Sequence, residues 1–505
     1  MADEKQANEG KGNGGPYTPP KGSEADFQIQ LEDRLLDYHA EAKWIVLRKE
    51  EKPKAEVFCT VYTVPAEKDR PVTFVFNGGP GASSVYLHMA AMGPKRVDLD
   101  PHGKPLPSPH RLADNKETWL AFTDLVFVDP VGTGLSRMIE EDKPKADKDS
   151  GKPSGDGKKE PPEYWRYKRD LESIGEFVRT WLSIHHRWED PVFIAGESYG
   201  GYRVGKLTKM LQKDYGVGLA GAVILSPALD FALLDGSNYN VLPWVDTFPT
   251  MAAAALVHGK ARKARKGESP MEYALRAREF AISRLMPILA SGILVSPAKR
   301  SQVLNMAADF IGLPREVVRR KGGRIGIDWF VKNLLRDQGT HLGLYDASVA
   351  VTDPFGDKDE LDAPDPTLHL LERVFAAGVN TQLRRNIGLE TERDYELISM
   401  KAHLAWKNDE QKHPFQSQFG AVDDLRYGMS LNEHMGVFIT HGHYDLVTPF
   451  SSSDRLVALM NLTEAQRGNL VCRHYPGGHM FYTWAGSRKE LTSDMADFYR
   501  RYARS

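Results

Sequence analysis

The sequence predicts an α/β protein: a mostly parallel, doubly wound sheet carrying a helical cap insertion. Three observations carry this. First, short apolar runs (Val72 to Phe76, Leu125 to Val128, Val192 to Ala195, Ala220 to Leu225) each end in a Gly- or Pro-rich turn. Runs that are apolar throughout suit parallel strands covered on both faces. Second, helical patterns such as Tyr164 to His185 and Tyr202 to Lys213 alternate with them, the rhythm of a doubly wound sheet. Third, the stretch from about 231 to 426 is helical in pattern, rich in Arg, Ala and Leu, with no clear parallel strand. The sheet pattern then resumes at Gly436 to Thr440 and Asn469 to His474.

Taken in order, residues 1–28 are rich in Gly, Pro, Lys and Glu and are expected to form a disordered tail. Ala42 to Lys49 and Ala55 to Val64 are β-rich runs separated by Glu50-Glu51-Lys52-Pro53, an antiparallel hairpin pattern. The core is expected over 29–230, interrupted at 140–162 by a flexible insertion of mixed charge. The cap follows over 231–426, and 427–505 complete the core with a closing helix at about Ser487 to Arg500. The basic cluster Arg262-Lys263-Ala264-Arg265-Lys266 reads as a solvated helix face. Trp181, Trp188, Trp244 and Trp406 read as packing residues, with Trp244 a candidate for the pocket mouth. There are no internal repeats.

The 505 residues are 41% hydrophobic, enough for a large core. With 66 basic and 68 acidic residues the net charge is −2. That balance offers no field for nucleic acid, and no apolar run has the length of a membrane span. The N-terminal segment has no apolar leader core. The chain is therefore expected in the cytoplasm if complete, and in the periplasm or outside the cell if a leader has been removed. Cys59 and Cys472 allow one disulfide at most and read as ordinary buried thiols. His185-His186 and His441-Gly442-His443 lack ligand partners at metal-binding spacing. Neither a metal nor a cofactor is expected. A homodimer is left open.

The sharpest local signal is Gly196-Glu197-Ser198-Tyr199-Gly200, between an apolar strand and a helical pattern. G-x-S-x-G in that setting is a nucleophile elbow: a tight strand-to-helix turn lifts the serine hydroxyl above the sheet. A serine needs a base, and the base needs an orienting group. In the α/β-hydrolase fold the chain order is serine, acid, histidine. Asp445 follows the run Gly436 to Thr440, and His479 follows Asn469 to His474, both on loops at strand ends. His441 and His443 precede Asp445, the wrong order, and His474 lies inside the strand pattern. The oxyanion hole needs the N–H after the nucleophile, Tyr199, and one from an early loop. Asn77-Gly78-Gly79-Pro80-Gly81 fits. No Lys-Ser/Thr follows it, so it is no P-loop.

Asn77-Gly78-Gly79-Pro80-Gly81-Ala82-Ser83-Ser84, Asp129-Pro130-Val131-Gly132-Thr133-Gly134, Gly196-Glu197-Ser198-Tyr199-Gly200-Gly201 and Gly478-His479-Met480 together resemble the serine carboxypeptidase family, peptidase family S10. The resemblance runs in order from about Lys43 to Tyr499 and looks closer to the bacterial branch, with Val-Asp-Pro-Val-Gly-Thr-Gly and few cysteines. It implies an α/β-hydrolase fold with Ser198 as nucleophile, His479 as general base and acid, and Asp445 as its orienting partner. It implies an oxyanion hole from Gly79 and Tyr199. It also implies recognition of a peptide's terminal carboxylate by Asn77, Gly78 and Glu197, the substrate being peptide or protein C-termini. The sequence departs from studied eukaryotic members at Ala91, Val75 and Ala82, where they carry Glu, Trp and Cys. The triad is untouched by these changes; the carboxylate-binding network is not. An esterase or acyltransferase would use the same triad, and a non-catalytic scaffold would keep only the fold.

Overall fold

The computed structural model describes residues 17–65, 69–139, 162–234, 236–407, 409 and 420–503. The expected insertion at 140–162 lies, Pro162 apart, outside the described residues. Nine strands form the main path of one sheet: β1 Ser23–Gln30, β2 Leu35–Lys49, β3 Lys52–Thr63, β4 Val72–Phe76, β5 Asp124–Val128, β6 Val192–Glu197, β7 Gly221–Leu225, β8 Gly436–Thr440 and β9 Leu470–Cys472. Their spatial order is β1-β2-β3-β5-β4-β6-β7-β8-β9. The first three strands and the β3–β5 pair are antiparallel. All pairs from β5 to β9 are parallel.

The apolar runs are buried on both faces because alternate residues point to opposite sides. Phe74, Ile194, Ile224 and Ile439 enter one cluster, Val75, Ala195, Val223 and Phe438 the other. Helices α1 Tyr167–Ile184 and α2 Tyr199–Asp214 cover the first face, where Phe74 meets Trp181 edge-on at 5.3 Å. The closing helix, Ala485–Tyr502, covers the second, with Tyr499 stacked on Phe193 at 4.1 Å.

The chain between β7 and β8 builds a separate apolar core. Helices α3 Leu242–Val257, α4 Pro270–Phe280 and α5 Pro297–Ile311 pack there through Phe248, Phe280 and Phe310. Further along, α6 Pro366–Asn380 packs instead on the sheet's second cluster through Leu371 and Phe375. In the second half of the core, α7 Val422–Leu431 and α8 Phe450–Leu459 precede the closing helix, α9.

Three expectations need correction. The tail does not extend to residue 28, because β1 occupies Ser23–Gln30 and pairs with β2 from Ser23↔Ala42 to Gln30↔Leu35. Backbone pairing holds this edge strand; Ile29 is its one fully buried side chain. Residues 262–266 are not a helix but the exposed loop between α3 and α4, where Arg262 pairs with Asp309 at 3.1 Å. Trp188 is 43% exposed, not packed.

Candidate active site

β6 delivers Ser198 to the sheet's carboxyl edge. The residue sits at φ 61°, ψ −123°, between the last strand residue and the first residue of α2. Holding a serine at positive φ costs on the order of 1–3 kcal/mol, so the surrounding turn must enforce it. Close packing does so. A Cβ at Gly200 would lie 2.5 Å from the Phe76 carbonyl, and one at Gly78 2.5 Å from the Tyr199 amide nitrogen. The loop after β4 is thereby pressed against the turn, and Gly79 and Tyr199 lie on adjoining stretches of backbone. Among the described residues neither of their N–H groups has a hydrogen-bond partner, as an oxyanion hole requires.

The loops after β7, β8 and β9 meet beside the turn. His479 Nδ1 lies 2.7 Å from Asp445 Oδ2, and both side chains are buried. Asp445 Oδ1 accepts the N–H groups of Val447 and Thr448, each at 2.9 Å. Thr448 Oγ1 lies 2.6 Å from Asp445 Oδ2 and 3.1 Å from His479 Nδ1. The His479 carbonyl accepts Ser226 Oγ–H at 2.8 Å, and its N–H donates to Tyr345 O at 2.5 Å. With Nδ1–H donated to the carboxylate, a neutral imidazole presents its Nε2 lone pair. Burial pushes the His479 pKa down, but the carboxylates of Asp445, Glu197 and Asp365 together outweigh it and leave the pKa raised. The structure thus joins His479 to Asp445. Ser198 Oγ makes no hydrogen bond among the described residues, to His479 or to any other group.

Glu197 is buried immediately before the serine. Asn77 Nδ2 donates to its Oε2, and Tyr482 Oη donates to Oε1 at 2.7 Å. Asn77 is fixed in turn, its Oδ1 accepting Leu87 N–H at 3.1 Å. Burial pushes the Glu197 pKa up to about 7, while the imidazole of His479 and the Tyr482 and Asn77 donors pull the other way. Asn77 and Glu197 are therefore in direct contact, and Gly78 packs against the turn at Glu197, Ser198 and Tyr199.

Sequence reasoning missed the braces. Arg203 and Asp170 form a buried bidentate pair (2.8 and 3.0 Å), and Arg203 Nη1 also donates to the Asn77 carbonyl at 2.6 Å. Tyr482, Thr448 and Tyr345 carried no motif. Tyr482 lies three residues past His479, so a hydroxyl near the histidine motif was the one available signal.

A cleft of about 740 Å³ opens beside Gly79. Tyr345, Leu368, Glu372 and Arg373 form one side, and the segment from Asp394 to His403 the other. That segment is bonded to the glycine loop: Ser83 N–H donates to Leu397 O at 2.9 Å, and Ser399 N–H to Gly81 O at 2.8 Å. Trp244 is not at this mouth; it packs on the cap core and donates to Ser237 O at 2.9 Å.

Asp454, Cys472 and His474 bring their ligand atoms within 4.8 Å of one another. Asp454 is occupied by Arg278 and by His474 Nε2 at 2.9 Å. His474 Nδ1 accepts the His441 N–H, which leaves its proton on Nε2. The set does not fit a cation. His474 lies past the end of β9, not within it, and both cysteines are free thiols.

Sheet order, nucleophile turn and strand-end loops define an α/β-hydrolase. Within that class, residues 44–239 match the family model described as serine carboxypeptidase. The match includes Asn77, Gly79, Glu197 and Ser198 and ends before Asp445 and His479. The chain is 31% identical over 152 residues to the pheromone-processing carboxypeptidase kex1 of Sclerotinia sclerotiorum, covering 29% of this chain and 19% of that protein. It is 27% identical over 224 residues to the pheromone-processing carboxypeptidase KEX1 of Fusarium vanettenii, covering 43% and 30%. The chain thus spans less than a third of either relative. Among solved structures, the proline iminopeptidase of Mycobacterium smegmatis aligns over 92% of this chain and 98% of its own, at 13% identity and TM-score 0.38.

Proposed function

We propose that this chain is a serine carboxypeptidase of the bacterial-type branch, removing the last residue of peptides or proteins through an acyl-enzyme. Ser198 Oγ attacks the scissile carbonyl while His479 Nε2 takes its proton and Asp445 stabilises the imidazolium. The N–H groups of Gly79 and Tyr199 stabilise the oxyanion. The imidazolium then protonates the leaving amine, the terminal residue departs, and water repeats the sequence to release the acyl group. Asn77, Gly78 and Glu197 recognise the terminal carboxylate. The single observation carrying this reading is Glu197, a buried carboxyl held against Asn77 directly before the nucleophile, with a pKa of about 7. Its neutral form can donate a hydrogen bond to a substrate carboxylate; its ionised form repels one. A neutral Glu197 also withdraws one of the carboxylates that stabilise imidazolium at His479, favouring the free base. The branch assignment rests on Val-Asp-Pro-Val-Gly-Thr-Gly at 128–134 and the two free thiols.

The test compares N-acetyl-Phe-Leu with its C-terminal amide, after a fluorophosphonate probe has titrated Ser198. Preferred release of leucine from the free acid, lost in Ser198→Ala, is expected. The preference should weaken as pH rises through about 7. Labelling with hydrolysis of simple esters and the amide alone would instead identify an esterase or acyltransferase.

A further inference from the structure

The helical insertion carries a tip whose chemistry the catalytic reaction does not use. The helix Met286–Ser291 ends at Gly292, at φ 53°, and a single 3-10 turn follows over Gly292–Leu294. Leu289 before this turn is buried in the insertion's core, and Val295 after it packs on that core. Between these anchors Ile293 and Leu294 stand 95% and 87% exposed. Tyr239, on the loop before α3, is 97% exposed. Arg324 joins the two loops: its Nη2 donates to the Leu289 carbonyl at 3.0 Å and to the Asn238 carbonyl at 3.1 Å. A single bare apolar side chain is ordinary on a protein surface; several large ones on adjoining loops mark a contact site.

The ground around the tip is basic. Residues 281–330 hold eight Lys or Arg and three Asp or Glu, in a chain of net charge −2. Arg300 on α5 and Arg324 converge at Gly322, where a Cβ would lie 3.2 Å from Arg300 Nη2 and 3.7 Å from Arg324 Nη1. Arg319 and Arg320 end the helix Arg315–Arg320 just before this point, and both are exposed. Lys321 follows, its Nζ 4.6 Å from the centre of the Trp329 ring. Among the described residues none of Arg300, Arg319, Arg320, Lys321 and Arg324 has a carboxylate partner. Nearby cations are matched: Arg315 meets Asp309 at 2.8 Å and Lys332 meets Asp353 at 2.6 Å. Like charges gathered without counter-charges are complementary to a negative surface.

An occupant must suit both features. A second copy of the chain, paired through the same patch, would bring these cations against themselves. Nucleic acid would take up the cations and leave Ile293 and Leu294 in water. An anionic bilayer meets the cations with its headgroups and receives apolar side chains just beneath them. We propose that this tip is a peripheral docking surface for an anionic phospholipid membrane, with Ile293, Leu294 and Tyr239 entering the interface and Arg319, Arg320 and Lys321 facing the headgroups. The inference goes beyond the carboxypeptidase reading and does not depend on it.

The test floats the chain with vesicles of phosphatidylcholine alone and with vesicles of equal parts phosphatidylcholine and phosphatidylserine. Binding is expected on the mixed vesicles only, and added salt should weaken it. Ile293→Ser/Leu294→Ser and Arg319→Gln/Arg320→Gln should each bind about tenfold more weakly or worse, with the urea midpoint and fluorophosphonate labelling of wild type. Tryptophan at the tip, in Ile293→Trp, should shift its emission to the blue when mixed vesicles are added. No binding to mixed vesicles overturns the inference, and so does equal binding to both kinds. Wild-type binding by Ile293→Ser/Leu294→Ser, or an unshifted emission in Ile293→Trp, would leave charge attraction without insertion and overturns it too. A dimer that Ile293→Ser/Leu294→Ser dissociates would assign the tip to a second copy, and duplex DNA bound more tightly than mixed vesicles would assign it to nucleic acid; either result defeats the membrane proposal.

Discussion

At the scale of residues, Glu197 ties the site's chemistry to the protein's stability. Its folded pKa of about 7 stands above the ordinary 4.5, so the native state favours the neutral form. That contribution is fully present below about pH 4.5 and is lost as pH rises through about 7. At 1.36 kcal/mol per pKa unit the loss is about 3 kcal/mol. Glu197→Gln keeps the shape and cannot ionise. Urea unfolding should find the variant close to wild type at pH 5 and more stable at pH 8. Its KM for N-acetyl-Phe-Leu should lose the rise that wild type shows above pH 7. A variant less stable than wild type at both pH values would reverse the sign of the argument. The residues with a pattern requirement were readable in sequence: Ser198 by flanking glycines, Asp445 and His479 by order and strand ends. Tyr482, Thr448 and Tyr345 were not, because a hydroxyl's role depends on what packs beside it, and nothing local encodes that.

At the scale of elements, the site depends on the start of α2 and the loop after β4 staying in register. Arg203, on the first turns of α2, reaches both Asp170 on α1 and the Asn77 carbonyl. Arg203 is fully buried and Asp170 nearly so. Removing one partner of such a pair leaves an uncompensated buried charge, worth about 3–5 kcal/mol. Arg203→Met should lower the urea midpoint accordingly. Because Asn77 loses its tether, the preference for free acid over amide should fall as well. Arg203→Lys keeps the charge but cannot bond in bidentate fashion, and should fall between. A midpoint unchanged in Arg203→Met would mean that the pair braces nothing. The parallel strands were legible because burial on both faces forces continuous apolar runs. β1 was not, because an edge strand with one fully buried side chain carries almost no hydrophobic signal, and its pairing is made by backbone.

At the scale of the whole molecule, the helical insertion and the core share the segment that carries the acid. Tyr444, Leu446 and Phe450 flank Asp445 in sequence, yet their side chains belong to the apolar cluster of α3, α4 and α5. Asp246 on α3 is 3% exposed; it lies 3.1 Å from Arg455 Nε and accepts Ser452 Oγ–H at 3.2 Å, both from α8. The boundaries at 231 and 426 fall where the strand rhythm of the sequence stops and resumes. Some of the side chains that lock insertion to core, Ser452 and Arg455 on α8, lie outside those boundaries. An insertion with its own core but an interface through Tyr444 to Phe450 should not melt separately. Tryptophan fluorescence and the loss of fluorophosphonate labelling at Ser198 should therefore follow one urea transition. Asp246→Ala removes the buried partner of a half-buried Arg455 and should shift both curves together by about 2 kcal/mol, the size of a hydrogen bond to a charged group. Two separated transitions, with labelling lost only in the second, would show instead that the insertion is an independent unit resting on a self-sufficient site.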